Sequence, residues 1–468
     1  MVLIKSISGI RGTIGGRAGD GLNPLDIVMY TAGFGMWVKE NFVLQDKNLK
    51  NKKAKIVVGR DARISGLMVN HIVIGTLIGL GIDVVNIGLA TTPTVEIAVP
   101  EEKADGGIIL TASHNPEQWN ALKLLNHLGE FITDKEGKEV FAIAENEQFD
   151  FAGVDELGSL TEDFSYEKKH IEKVTNLSLV DIPAIKSANI KVVIDGVNSV
   201  GGMVIPKLLR RLGVNQVVEL YCEPTGHFPH DPEPLPGNLK EVSKTVIKNR
   251  ADVGFVVDPD VDRLAIINED GSMFGEEYTL VAVADYVLRN TKGNTVSNLS
   301  STRALREVTE KYGGTYYASA VGEVNVVFAM KKNDAIIGGE GNGGIIYPEI
   351  HYGRDALVGI ALFLSHLAKS KKKCSELRTM YPDYYISKNK IQLTHDINSD
   401  KILTAMKNKY ESYPINEVDG IKIEFEKEWI HLRKSNTEHI IRIYAESYSP
   451  EKANVLAGKI IKEIKEIN

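Results

Sequence analysis

The sequence is poor in cysteine: Cys222 and Cys374 are the only two among 468 residues. Two thiols cannot staple a small domain, and neither belongs to a C-x-x-C or Cys/His cluster of the kind zinc needs. The expectation is a reducing, cytoplasmic setting. Long hydrophobic runs are missing too. The most apolar stretch, Ile72 to Val99, is broken by glycines and by Asp83 and Asn86, and reads as a buried helix followed by a strand, not a membrane span. The opening segment MVLIKSISGIRG lacks the apolar core and small-residue cleavage site of a secretory signal. There is no excess of positive charge: Lys+Arg 55 against Asp+Glu 62 gives −7, with no global pull toward nucleic acid or anionic membrane. Walker, G-x-S-x-G and H-E-x-x-H motifs are absent, which argues against a P-loop ATPase, an α/β-hydrolase and a zinc peptidase.

What is present fits a multidomain globular chain. Its length predicts about three domains at ~150 residues each, and 43% hydrophobic with 25% charged residues is ordinary for a folded protein. Short β-branched runs alternate with helical periods, the pattern of α/β units. KIVVGRD, DVVNIG and GGIILTAS read as strands of a first unit, and the acidic stretch Glu145 to Asp163 reads as its boundary. A second unit starts at KVVIDGVNSVGG, and a third at ADVGFVVDPDVDR. The run EPTGHFPHDPEPLPG is too rich in Pro and Gly for regular structure. After the charged linker SKKKCS, helices flanking strands at IKIEF and IRIYAE predict a smaller α+β domain. The expected division is 1–155, 156–253, 254–370 and 371–468: three consecutive α/β mixed-sheet domains and a smaller C-terminal α+β domain.

Four constellations could carry chemistry. The strand Ile108 to Leu110 runs into Thr111-Ala112-Ser113-His114-Asn115-Pro116, with Lys123 further on. Ligands of open α/β sheets bind beyond the carboxyl ends of strands, so Ser113 is well placed and Lys123 can supply a cation or an acid/base group. An ordinary Ser/Asn turn explains the same residues. Next, Phe255-Val256-Val257 leads into Asp258-Pro259-Asp260-Val261-Asp262-Arg263. Three carboxylates at a strand end need a counter-charge if buried, and oxygen ligands suit Mg²⁺ or Ca²⁺. Arg263 adds a phosphate or carboxylate partner. An EF-hand is excluded, since Arg263 stands where the loop needs glycine. An aspartyl-nucleophile phosphatase and a solvated acidic turn remain open.

The third constellation, Gly338-Gly339-Glu340-Gly341-Asn342-Gly343-Gly344, contains a literal G-x-G-x-x-G, but IIYP follows where a nucleotide fold needs a helix. It reads better as a glycine loop that approaches a ligand, with Glu340 bonding hydroxyls. The fourth, Arg433-Lys434-Ser435-Asn436-Thr437-Glu438 with Arg442, reads as a phosphate cradle between strands or as a charged hairpin. Ser8 to Gly12, Gly59-Arg60-Asp61 and the loop around His227 and His230 read as turn chemistry, with Arg11 the most suggestive of these residues.

Taken in order, these four segments resemble the α-D-phosphohexomutase family, and the resemblance spans essentially the whole chain. TASHNP is similar to its phosphoserine loop, DPDVDR to its magnesium loop, GEGNGG to its sugar-recognition loop, and RKSNTE with Arg442 to its phosphate-binding loop. The resemblance implies domains in a heart-shaped arrangement around a central cleft. It implies Ser113 as the phosphoryl carrier and Mg²⁺ held by Asp258, Asp260, Asp262 and a phosphoserine oxygen. Arg11 and Lys123 would lie at the reacting group, with Lys123 an acid/base candidate. His114, Asn115, Arg263, Glu340 and Asn342 would contact substrate, and Arg433, Ser435, Asn436, Thr437 and Arg442 would hold the phosphate that is not transferred.

Hexose 1-phosphate and hexose 6-phosphate would interconvert through a hexose 1,6-bisphosphate, which also serves as activator. The segment SISGIRGTIGG resembles bacterial phosphoglucosamine mutases, which puts glucosamine phosphates first and mannose and glucose phosphates next. Asn342 and Gly344 stand where many bacterial members carry Ser and His, so the sugar loop offers no histidine. A Mg²⁺-dependent sugar phosphatase and a non-catalytic sugar-phosphate binder are the readings from other classes. The partner is a small sugar phosphate, with oligomeric state left open.

Overall fold

The computed structural model describes residues 2–6, 9–43, 52–392, 399–434 and 440–467. The chain divides into two compact units, one of Met1–Thr279 with Gly343–Ser375, the other of Leu280–Asn342 with Glu376–Asn468.

The first unit holds two mixed sheets. Its larger sheet contains β1 (Leu3–Ser6), β2 (Gly9–Thr13), β3 (Lys55–Arg60), β4 (Asp83–Leu89), β5 (Gly106–Leu110), β6 (Trp119–Leu125) and β7 (Leu160–Glu162). The order is β1-β2-β6-β5-β3-β4-β7. The strands from β5 to β7 run parallel, while β1, β2 and β6 close the other side antiparallel. Alternation decides the layers: Ile56 and Val58 of β3 join the core under helices Pro24–Val38 and Gly66–Gly79. Val57, Val85 and Ile87 meet helix Thr92–Glu101 on the opposite face.

The acidic stretch expected to be a boundary does more than connect. It returns to the sheet as β7, with Val84 opposite Leu160 and Asp83 Oδ1 accepting from Ser159 N at 2.9 Å. The chain passes so close at Gly158 that a Cβ would lie 1.9 Å from the Ile82 carbonyl oxygen, so only glycine fits.

The second sheet contains β8 (Lys191–Asp195), β9 (Gln216–Leu220), β10 (Val253–Val257) and β11 (Leu264–Asn268), in the order β11-β10-β8-β9. This corrects the expected start of a third unit at Ala251 and the boundary at 253. Val253 pairs with Val192 and Asn268, so β10 and β11 complete the second sheet. The reason is geometric: a strand that follows a helix can either open a new sheet or return to the old one, and the local pattern is identical. The Pro/Gly-rich run 222–238 has no helix or strand, as expected.

In the second unit, β12 (Asn294–Asn298), β13 (Tyr316–Ser319) and β14 (Ala335–Glu340) lie parallel in the order β13-β12-β14. The segment β15 (Gly344–Ile346) belongs to the first unit. The smaller C-terminal domain has β16 (Tyr385–Gln392), β17 (Ile415–Asn416), β18 (Ile421–Glu424), β19 (Trp429–Lys434) and β20 (Ile440–Ser447). Its antiparallel order is β16-β20-β19-β18-β17. Helices Ser399–Lys409 and Pro450–Ile467 share its core through Ile402, Met406, Ile460 and Ile464. Three α/β domains and a smaller α+β domain are therefore present, as the sequence predicts.

A buried charge cluster ties three distant segments of the first unit together. Asp355 caps helix Ala356–Ser370, accepting from Leu357 N and Val358 N. Its Oδ2 lies 2.8 Å from His170 Nε2 and 3.3 Å from His351 Nε2. The other nitrogen of His351 is 3.2 Å from Glu96 Oε2. Burial opposes charge on His351, but Asp355 and Glu96 hold its proton and raise its pKa to about 10. A raised histidine pKa contributes stability that is complete below its ordinary value near 6.5 and is lost as pH climbs to about 10. We therefore expect His351→Leu to lower stability at neutral pH by about 3 kcal/mol. The variant should also flatten the fall of Tm between pH 7 and 10, read by thermal melts across that range; an unchanged alkaline slope would contradict the assignment.

Candidate active site

The apolar strand β5 delivers Ser113 to a buried position. Its backbone is left-handed, with φ of 50°, which is uncommon for a residue with a Cβ and marks a loop held by its surroundings. Thr111 Oγ1 accepts from Ser113 N at 2.9 Å. The larger support is Arg63, 1% exposed. Its Nε donates to Asp61 Oδ2 at 3.0 Å. Its Nη1 donates to the carbonyls of Pro116 and Trp119 at 2.7 and 3.0 Å. Its Nη2 donates to those of Ser113 and Asn115 at 2.5 and 2.6 Å. All five guanidinium N–H groups are used. Sequence reasoning treated Gly59-Arg60-Asp61 as a turn and missed Arg63. The available signal was an Asp-x-Arg pair directly after an apolar strand.

The loop between β10 and β11 brings Asp258, Asp260 and Asp262 together with every side chain fully buried. One oxygen from each lies within 4.8 Å of the others. Val261 takes a φ of 63°, a costly conformation for a β-branched residue, and this sharp bend keeps the three carboxylates on one side. Asp258 Oδ2 accepts from Ser113 Oγ at 2.9 Å, and its Oδ1 accepts from the backbone of Asp262 and Arg263. Asp260 Oδ2 accepts from Lys123 Nζ of β6 and from Thr92 Oγ1, both at 2.7 Å. Asp262 Oδ2 accepts from Arg354 at 2.7 Å.

Burial pushes Asp258 well above the ordinary carboxylate range, and the two neighbouring aspartates add to it. Burial also opposes charge on Lys123, but Asp260 and Asp262 outweigh it and hold the ammonium protonated. Oδ1 of Asp260 and Oδ1 of Asp262 are buried and accept no hydrogen bond among the described residues. Buried carboxylate oxygens without a donor, in a triad this close, are hard donors that suit a divalent cation.

Around this centre, Arg11 Nη1 donates to Asn115 Oδ1 at 3.2 Å. The His114 ring nitrogen Nδ1 lies 3.4 Å from Ser113 Oγ. Burial, with Arg263 and Arg11 nearby, lowers the His114 pKa to about 2, so the ring is neutral. Arg263 reaches Glu233 at 3.5 Å, which brings in the Pro/Gly-rich run 222–238. That run also lays Phe228 against Arg63, 5.0 Å from ring centre to guanidinium. Ser113, His114, Asn115, Lys123, Arg11, Arg263 and the three aspartates are thus neighbours, while Glu233, Thr92 and Arg354 are additions the sequence did not single out.

The remaining predicted residues lie in the second unit. Glu340 ends β14, and its Oε1 accepts from Asn298 Nδ2 at 2.9 Å and Gly322 N at 3.2 Å. Asn342 follows in the glycine turn, where the backbone N–H of Gly341 donates to Ser301 Oγ. Arg433 of β19 stands directly opposite Arg442 of β20. Like charges facing across a strand pair repel, and an anion relieves them. Ser435, Asn436 and Thr437 lie outside the described residues, as does Ser8.

Four consecutive family descriptions match the chain. Phosphoglucomutase/phosphomannomutase alpha/beta/alpha domains I, II and III cover residues 4–151, 168–271 and 275–384, and the C-terminal domain covers 394–463. The phosphoglucomutase/phosphomannomutase of Thermococcus kodakarensis is 37% identical over 88% of this chain and 90% of its own length. The phosphoglucosamine/phosphogalactosamine mutase of Sulfurisphaera tokodaii is 34% identical over 88% and 91%. The crystal structure of a phosphoglucomutase/phosphomannomutase family protein from Burkholderia thailandensis shares the fold, with a TM-score of 0.84, 24% identity and 99% and 97% of the two chains covered. With all four domains matched in order and relatives covered almost end to end, this chain belongs to the phosphoglucomutase/phosphomannomutase family of phosphohexomutases.

Proposed function

We propose that the chain interconverts hexose 6-phosphate and hexose 1-phosphate by way of a phosphoserine at Ser113, with glucosamine phosphate as the substrate. The observation that carries this reading is the 2.9 Å hydrogen bond from Ser113 Oγ to Asp258, at the mouth of a buried carboxylate triad. A nucleophilic hydroxyl held in that place by Arg63 has little structural purpose of its own.

In the proposed cycle a substrate hydroxyl attacks the phosphorus carried by Ser113. The bond from phosphorus to Ser113 Oγ breaks, the proton of the attacking hydroxyl ends on Ser113 Oγ, and a hexose 1,6-bisphosphate forms. The bisphosphate turns around, and its other phosphate passes back to Ser113. Phosphoryl transfer is governed by position and charge neutralisation. Lys123, Arg11 and Arg263 are assigned the fixed positive charge, and Lys123 is also assigned the transfer of the proton to the leaving oxygen. Asp258, Asp260 and Asp262 would hold Mg²⁺, which when bound neutralises phosphoryl oxygens. Glu340 and Asn342 are assigned to sugar hydroxyls, and Arg433 and Arg442 to the phosphate that stays. The glucosamine assignment rests on the N-terminal segment and on the similarity to the Sulfurisphaera tokodaii mutase. The similarity to the Thermococcus kodakarensis enzyme favours glucose and mannose phosphates as the second reading.

Replacing Ser113 with Ala should remove at least ~10³-fold of turnover, as loss of a covalent nucleophile does. The fold should be retained with only a small fall in melting temperature from the lost bond to Asp258, because Arg63 grips the loop through carbonyls; full activity in the variant would refute the phosphoserine. Phosphorus NMR of the enzyme with Mg²⁺, a trace of hexose 1,6-bisphosphate and equimolar glucosamine, glucose and mannose 1-phosphates should show glucosamine 6-phosphate growing fastest. Growth of inorganic phosphate instead would indicate a phosphatase with an aspartyl nucleophile. Treatment with EDTA should abolish conversion and added Mg²⁺ should restore it; activity that survives chelation would remove the metal from the scheme.

A further inference from the structure

The first sheet borders a crevice away from the phosphoserine loop. The connection leaving β3 crosses to one face through helix Gly66–Gly79, whereas the connection leaving β4 crosses to the other through Thr92–Glu101. Adjacent parallel strands whose connections part in this way open a crevice at their carboxyl ends, where doubly wound sheets hold nucleotides. A cavity of about 700 Å³ lies there, with Arg60, Leu67, Asn70, Ile74, Phe164 and Lys207 in its wall. That volume is within the usual range for small-molecule sites, about 300–1,000 Å³.

Two polar groups in the wall lack the partners their burial calls for. The Asn70 side chain is 4% exposed, yet its Oδ1 accepts no hydrogen bond among the described residues. The half-buried Arg60 guanidinium donates to the Asp61 carbonyl at 3.1 Å, and among the described residues no carboxylate lies within ion-pair distance of it. The Lys207 ammonium in the wall is already matched. Lys207 pairs with Glu167 at 2.6 Å, and Asn86 Nδ2 donates to Glu162 at 3.3 Å. Meanwhile Leu67, Leu160 and Phe164 are 53%, 47% and 64% exposed around the opening, a cluster of large apolar groups that the fold itself leaves wet.

We propose that this crevice is a second ligand site, apart from the phosphoserine site, and that it takes a nucleoside monophosphate. The phosphate sits on Arg60, the flat base lies against Phe164 and Leu67, and a base N–H donates to Asn70 Oδ1. Arg60, with no carboxylate at ion-pair distance among the described residues, selects an anionic head, the aromatic and aliphatic wall selects a planar body, and the buried Asn70 oxygen selects a donor on that body. None of these residues touches Ser113 or the aspartate triad in the arrangement described above.

The test is calorimetric titration of UMP, and then AMP, into the whole enzyme saturated with glucose 1,6-bisphosphate. At least one of the two should bind once per chain, with the same affinity whether or not the bisphosphate is present. Inorganic phosphate alone and the free nucleoside should each bind at least roughly tenfold more weakly. Arg60→Met and Asn70→Leu should each weaken the nucleotide roughly tenfold or more. If either variant melts early, Phe164→Ala, at an exposed ring, replaces it with the same expectation. Displacement of the nucleotide by the bisphosphate, wild-type affinity in the variants, or no binding of either nucleotide overturns the proposal.

Discussion

Three carboxylates buried within 4.8 Å of one another set the terms for everything near them. Isolated, such a cluster could not stay ionised away from water. The chain answers with cations drawn from separate places: Lys123 from β6 and Arg354 from the loop after β15. Thr92 and Ser113 add hydroxyl donors. Each contributor comes from a different element, so the triad acts as the point where the two sheets of the first unit are registered. The same charge balance readies the site for chemistry, since among the described residues two carboxylate oxygens still lack a donor.

Most of this site was legible because it sits at strand ends. An apolar run that stops at a cluster of polar residues is visible in one dimension, and both the Ser113 and the Asp258 loops have that form. The residues that escaped notice act through the third dimension. Arg63 looks like one more turn arginine until its five donors are traced, and Thr92, Arg354 and Glu233 have no local pattern at all. Their roles depend on which segments come together, and nothing in their neighbours' periodicity encodes that.

The fold shows the same division. Element type was clear from periodicity, including the smaller C-terminal domain with its antiparallel strands. Sheet membership was not. The strand Val253–Val257 reads as the start of something new, yet it pairs with Val192 and closes the second sheet. The stretch before β7 reads as an acidic linker, yet its last residues add an edge strand through a glycine that alone tolerates the approach. Pairing partners are chosen by long-range packing, and a single sequence carries little trace of that choice.

Arg63 also constrains how this sequence can change over time. Four of its five hydrogen bonds end on main-chain carbonyls, those of Ser113, Asn115, Pro116 and Trp119. A carbonyl is present whatever the side chain, so the rim of the loop is free to vary without loosening the grip. Position 63 has no such freedom. Lysine offers three donors from a single point instead of five in a plane, and would leave at least two of the five acceptors without a donor from this position. Variation is thus confined to the held partner, and the holder is fixed.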